Sequence, residues 1–209
     1  MSNYDHFCFD LDGTLIDSEN LIKNAWEFSI KKSKTPYKKS FQEFRKYIGL
    51  PFKNVLTSLD IESSYHDEIK KYFDLYSLNN VEEIKLFPYV NQTLNELKNR
   101  QKIITIFTSK DLIKAKRILL KFQIHNHISE MISGSQHKSL EKPSGKALTL
   151  LCKKVKVKRE KTIYFGDTKF DEIAADNSKI KFIHASWGME SKEKFEDSIK
   201  NPLDILNYT

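Results

Sequence analysis

The 209 residues carry 39% apolar side chains, 30% charged ones and a formal net charge of +7, a balance that suits one full core with room for a smaller appended unit. No apolar run approaches the roughly 20 residues that span a bilayer, no basic start leads into a secretory-type apolar stretch, and two isolated cysteines make neither a disulfide scaffold nor a zinc site, so a cytoplasmic protein is expected. The densest basic run, Lys153 to Arg159, has no interleaved aromatic rings to stack bases and reads as a solvated surface, so neither a specific nucleic acid nor a membrane is expected as partner.

The first predicted element is an apolar strand over about 6–11. Phe7-Cys8-Phe9 leads into Asp10-Leu11-Asp12-Gly13-Thr14, and Gly13 marks a turn. Two acids at the carboxyl end of a buried strand are costly unless a metal ion or a reaction uses them. α/β sheets bind their ligands just outside those strand ends. From 17 to 85 the spacing turns helical: Leu21, Ala25 and Phe28; Phe41, Phe44 and Ile48; Ile69, Tyr72 and Phe73. Gly49-Leu50-Pro51 interrupts it. Val90, Leu94 and Leu97 predict a helix, and Ile103 to Phe107 a second strand that ends in Thr108-Ser109-Lys110. A helix over 111–122 follows, with Asp111 as N-cap. A strand over 128–132 is next, and then a helix through Lys146–Cys152 opened by Pro143. Thr162 to Phe165 is a third strong strand, running into Gly166-Asp167-Thr168-Lys169-Phe170-Asp171. A helix over 171–177 and a strand over 182–184 complete the series. The alternation predicts a parallel α/β sheet.

Four of these segments, taken in order, carry a resemblance. Asp10-x-Asp12-Gly13-Thr14, the strand ending in Thr108, Lys142-Pro143 and Gly166-Asp167-x-x-x-Asp171 resemble the four motifs of the haloacid dehalogenase-like hydrolases, over essentially the whole chain. The resemblance implies a Rossmann-like core, 1–16 and 86–209, with helices on both faces of its sheet. It also implies an α-helical cap, 17–85, inserted between the first and second strands, with hinges near Ile16–Ser18 and Leu86–Tyr89. The cap and its Gly49-Leu50-Pro51 break look most like the phosphoglycolate phosphatase-like branch. Tyr89 stands where the family's re-entry turn usually has glycine, which predicts a turn of different shape. Trp187-Gly188 resembles the family's closing loop, near the site.

The resemblance also implies roles. Asp10 would be the nucleophile, forming an aspartyl-phosphate, and Asp12 the proton donor to the leaving group. Thr108 would hydrogen-bond the phosphate and Lys142 neutralise it, with Lys138 and Lys146 as competing lysines. Ser109 and Lys110 would touch substrate. Hard oxygen ligands without a Cys or His cluster point to Mg²⁺, held by Asp10, the Asp12 main chain and Asp167. Asp171 would bind the ion through water, or else be a helix first-turn acid favoured by the dipole; both readings stand. Arg45, Lys46, Lys53 and Asn54 flank the Gly49 turn, and Arg45 is carried as a substrate-binding candidate. The expected activity is a Mg²⁺-dependent phosphatase on a small phosphorylated metabolite, as a monomer or homodimer. A phosphosugar mutase of the same fold is the alternative, but relatives of that kind carry a His twelve residues after the nucleophile, where this chain has Ile22. A non-catalytic binding protein would not need both acids and Lys142.

Overall fold

The computed structural model describes residues 3–189 and 194–209. Strand β1 (His6–Phe9) lies at the middle of a parallel sheet. It is flanked by β4 (Ile103–Thr108) and β6 (Thr162–Gly166), with Phe9 level with Ile106 on one side and Phe165 on the other. Outside β4 lies β5 (Glu130–Ser133); outside β6 lie β7 (Lys181–Ala185) and β8 (Ser198–Ile199). The order among the described residues is β5-β4-β1-β6-β7-β8.

Parallel neighbours need crossover connections, and helices supply them: α5 (Val90–Asn99), α6 (Leu112–Lys121), α7 (Lys146–Val155) and α8 (Lys169–Ser178). Strand side chains alternate between faces, which decides where each helix packs. Phe7, Phe9, Ile104, Ile106, Ile163 and Phe165 meet Leu94 and Leu97 of α5 and Ile118 and Leu119 of α6. On the other face Cys8, Phe107 and Tyr164 meet Leu148 and Leu151 of α7 and Ala174 and Ala175 of α8. This is the Rossmann-like α/β core that the sequence predicts.

The remaining α-helices among the described residues lie between two short strands, β2 (Ile16–Asp17) and β3 (Lys85–Leu86), which pair antiparallel. Between them run α1 (Glu19–Lys32), α2 (Phe41–Arg45), α3 (Phe52–Ser58) and α4 (His66–Asn79). These helices bury a core of their own around Trp26, Phe44, Leu56 and Ile69, with the Trp26 and Phe44 rings 4.4 Å apart. Met189, from the far end of the chain, packs into the same cluster. Among the described residues no helix is long and apolar enough to cross a membrane.

Several local expectations need correction. Strand β1 stops at Phe9, because the N–H groups of Leu15 and Ile16 converge on the Leu11 carbonyl, each at 3.0 Å, and turn the chain. Strand β5 begins at Glu130, since residues 125–127 form a 3₁₀ turn. Pro143 does not open α7. The helix starts at Lys146 behind Gly145, while the Ser144 N–H closes a turn onto the Glu141 carbonyl at 2.8 Å, through a cis Lys142–Pro143 peptide. Tyr89 does not reshape its turn by avoiding glycine's conformation. It adopts φ 66°, ψ −5°, the left-handed backbone that glycine takes freely and that costs another residue about 1–2 kcal/mol.

One buried titratable group serves the fold. The His6 ring lies between Thr105 Oγ1 (2.7 Å) and Thr162 Oγ1 (3.1 Å), and burial pushes its pKa down to about 4. The folded value lies below the unfolded one of about 6.5, so the unfolded chain takes up the proton first. The support that neutral His6 lends the fold is therefore complete above about pH 6.5 and lost as pH falls towards 4. In an NMR titration the His6 ring should remain neutral down to about pH 5, with the thermal midpoint falling over the same window. Ordinary titration near pH 6.5 would refute this.

Candidate active site

Three adjacent strand ends build the site. Asp10 directly follows β1, and its N–H donates to the Phe165 carbonyl at 2.8 Å, continuing the ladder for one step. Thr108 is the last residue of β4, and Asp167 directly follows β6. Strands β4 and β5 lie to one side of β1 and β6 to β8 to the other, so the chain reverses its direction of sheet growth beside β1. Such a reversal opens a crevice at the carboxyl ends of the strands. Gly13 makes the crevice possible. It sits at φ +83°, and a Cβ there would stand 2.0 Å from Asp167 Oδ2. The Trp187 indole N–H donates to the Thr14 carbonyl at 3.0 Å and holds that turn from the closing loop.

At the centre is Lys142, 1% exposed. Its Nζ lies 2.6 Å from Asp10 Oδ1 and 2.7 Å from Asp171 Oδ1, and faces the rings of Phe107 and Tyr164 at 5.1 and 5.9 Å. Burial alone would lower its pKa, but the two carboxylates together hold it above the ordinary lysine range. Lys138 and Lys146, the competing lysines, are exposed.

Asp171 is fully occupied. Its carboxylate accepts from Lys142, from the Tyr164 hydroxyl (2.5 Å), and from the Thr168 N–H (3.1 Å) and Oγ1 (2.6 Å). The Thr168 N–H bond and the return bond from the Asp171 N–H to Thr168 Oγ1 (3.3 Å) form a capping box at the start of α8. Four donors match the acceptor capacity of a carboxylate, so Asp171 braces Lys142 and caps the helix.

Asp10, Asp167 and Asp171 bring carboxylate oxygens within 4.8 Å of one another, all three buried. Burial pushes Asp10 up to about 7 against the pull of Lys142, and pushes Asp167 well above the carboxylate range, with the Asp10 and Asp171 charges adding. Asp167 Oδ2 accepts the Met189 N–H at 3.1 Å, while Oδ1 is buried without a partner. Negative charge in excess of the buried ammonium, all-oxygen donors and an orphaned carboxylate oxygen fit a hard divalent cation. Asp10 and Asp167 are the side chains with capacity left to hold one.

Asp12 lies apart from this cluster, in the turn. Its Oδ1 accepts the Ser18 hydroxyl at 2.6 Å and pairs with Lys110 Nζ at 2.9 Å. Ser109 Oγ donates to the Gly49 carbonyl of the helical segment at 2.6 Å, and Asn54 Nδ2 donates to Glu141 Oε2 at 3.1 Å. These bonds, with an ion pair between Lys114 of α6 and Asp74 of α4, seat the helical segment over the crevice. Arg45 is not brought to the carboxylates; it pairs with Glu19 at 2.7 Å inside the helical segment. Sequence reasoning missed Ser18 and Tyr164. The phenol was legible only as a polar-tipped side chain within the apolar run Ile163–Phe165.

A family model described as haloacid dehalogenase-like hydrolase matches residues 7–185. A pyrophosphatase PpaX from Oceanobacillus iheyensis is 25% identical, over 87% of this chain and 83% of its own. A phosphoglycolate phosphatase from Vibrio parahaemolyticus is 26% identical, over 93% of this chain and 88% of its own. Among solved structures, a haloacid dehalogenase-like family hydrolase from Streptococcus pneumoniae superposes with a TM-score of 0.83 at 24% identity, covering 98% of each chain. A predicted phosphoglycolate phosphatase from Haemophilus somnus does so at 0.87 and 23%, covering 99% of this chain and 98% of that one.

Proposed function

The chain belongs to the haloacid dehalogenase-like hydrolases, and from that premise we propose that it is a Mg²⁺-dependent phosphatase of small organic phosphate monoesters. The observation that carries this reading is the buried Lys142 ammonium bridging Asp10 and Asp171 beside the unpartnered Asp167 oxygen. Such a site has a carboxylate to attack phosphorus, a fixed ammonium to offset phosphate charge, and a vacant carboxylate oxygen that would hold a metal ion.

In this reading an Asp10 carboxylate oxygen attacks phosphorus, and the bond from phosphorus to the leaving oxygen breaks. Asp12 supplies the proton that the leaving oxygen needs. Water then attacks the phosphorus of the aspartyl-phosphate, Asp12 takes its proton, and Asp10 and inorganic phosphate are released. Thr108 Oγ1 accepts the Lys110 N–H at 3.1 Å, which leaves the Thr108 hydroxyl hydrogen free to bond a phosphoryl oxygen. Lys142 offsets phosphate charge from a fixed position. Asp10 and Asp167 would hold Mg²⁺, with the Asp12 carbonyl as a third oxygen, and the ion would neutralise phosphoryl charge. The helical segment 17–85 acts as the cap, excluding water and shaping the pocket for the leaving group. Ile22 lies in the hydrophobic core of that segment, where a mutase would place a histidine. Both cysteines are buried and free, in keeping with a cytoplasmic enzyme.

A turnover screen over phosphorylated metabolites tests the reading. Hydrolysis should need Mg²⁺, stop in EDTA and return with added Mg²⁺. Full activity in EDTA, or no ester turned over, would overturn it.

A further inference from the structure

We propose that the Tyr164 hydroxyl is a positioning group of the reaction: by binding Asp171 it keeps the Lys142 ammonium on the Asp10 side, where phosphorus is attacked. The inference rests on the phosphatase reading given above and adds to it a residue that stands behind the reacting groups.

Tyr164 is the third residue of β6 and is fully buried. Its ring packs in the apolar cluster of Cys8, Phe107 and Leu148, a place that phenylalanine would fill as well. The hydroxyl is therefore an addition that packing does not call for, and a buried phenol needs an acceptor. It donates to Asp171 Oδ1 at 2.5 Å, the length of a charge-assisted bond. Its other acceptor, the Phe107 carbonyl, is 3.4 Å away, beyond the usual length. Lys142 Nζ reaches the same Asp171 Oδ1 at 2.7 Å. The second oxygen of Asp171 is taken by Thr168 at the head of α8. Thr168 thus fixes one end of the carboxylate, and Tyr164 fixes the end from which Lys142 is held.

An oxygen shared by two donors divides its pull between them. With the phenol in place, Asp171 anchors the ammonium without claiming it outright, and Asp10 keeps its share at 2.6 Å. The division matters once the reaction starts. As the Asp10 oxygen bonds to phosphorus, negative charge moves from the carboxylate onto the phosphoryl and leaving oxygens. The ammonium has to follow that charge and not fall back on Asp171. Asp10, Lys142 and Asp171 are all buried, so water does little to damp the competition. Without the hydroxyl, Asp171 Oδ1 would have Lys142 alone and would draw it away as the charge on Asp10 is spent. That loss falls on the transition state and not on the binding of substrate.

The test compares wild type, Tyr164→Phe and a protein with 3-fluorotyrosine at position 164, in Mg²⁺, on p-nitrophenyl phosphate and 2-phosphoglycolate, beside metal-free thermal melts. Phenylalanine keeps the ring that faces Lys142 at 5.9 Å and removes only the oxygen. Tyr164→Phe should melt cooperatively and lower kcat about tenfold, with KM within about twofold of wild type. Fluorotyrosine keeps the hydroxyl and should hold kcat within about threefold. In an Asp171→Asn background, adding Tyr164→Phe should change kcat by less than about twofold, because the hydroxyl acts through the Asp171 charge. A Tyr164→Phe kcat near the wild-type value, a loss confined to KM, or equal losses with phenylalanine and fluorotyrosine would each overturn the inference. So would a full loss repeated in the Asp171→Asn background, or a Tyr164→Phe chain that does not fold, which would make the hydroxyl a group of the fold. In all of these cases wild-type turnover leaves the phosphatase reading standing. Wild-type turnover of neither ester overturns both.

Discussion

Asp10→Asn should abolish turnover, by about 10⁴-fold or more, in a protein that remains folded. The amide keeps the size and hydrogen-bonding reach of the acid but cannot attack phosphorus to form an acyl-phosphate. Its effect on stability should be small or favourable. Asp10 is buried among other carboxylates, and burial holds its carboxyl up at about 7 against the pull of Lys142. Removing one of three clustered, buried carboxyl groups relieves repulsion, while Lys142 keeps Asp171 at 2.7 Å. The check is hydrolysis of p-nitrophenyl phosphate alongside a metal-free thermal melt. Turnover near the wild-type rate would remove Asp10 from the chemistry.

Lys142→Met should strongly destabilise the metal-free fold. Methionine fills the channel but carries no charge, so the Asp10 and Asp171 carboxylates lose the ammonium at 2.6 and 2.7 Å. Breaking a buried ion pair by removing one partner costs about 3–5 kcal/mol, which in a domain of this size lowers the thermal midpoint by on the order of 10 °C. Mg²⁺ should recover part of the loss, because a divalent cation between Asp10 and Asp167 offsets the same excess of negative charge. Activity should fall severely even with Mg²⁺ present. The exposed Lys138 and Lys146 serve as controls, since their replacement by Met should move the midpoint by about 0.5 kcal/mol equivalent or less. A Lys142→Met melt within the range of those controls would show that Lys142 does not hold the carboxylates together.

The core of the site was legible because its signals are local. Asp10, Thr108 and Asp167 each close an apolar β-branched or aromatic run, and a strand end followed by Gly or a hydroxyl residue is visible within a window of a few residues. The α5 and α6 spacing and the Asp111 N-cap, which accepts from the Ile113 and Lys114 N–H groups, were legible for the same reason. The helix after Pro143 was misplaced by three residues. Local preference puts proline in a first turn, but the chain there forms a turn that lets Lys142 reach two carboxylates. The β2–β3 ribbon was invisible because two-residue strands carry no periodicity.

By itself the sequence determined the class of fold, the acids that face the crevice and the family to which they belong. The fold class follows from the alternation of strands and helices along the chain, and the acids and the family from four short segments taken in order. Tertiary structure alone decided which of three nearby lysines enters the core, and that Asp171 spends its oxygens on Lys142, Tyr164 and Thr168. It also decided that Lys110 pairs with Asp12 across the seam while Arg45 turns to Glu19. The Lys142–Asp10 contact joins residues 132 positions apart, and the Lys110–Asp12 pair likewise crosses from β4 to the turn after β1. Such contacts depend on β4 and β6 both lying against β1, an order set by the packing of helices on two faces and by no pattern within the strands themselves.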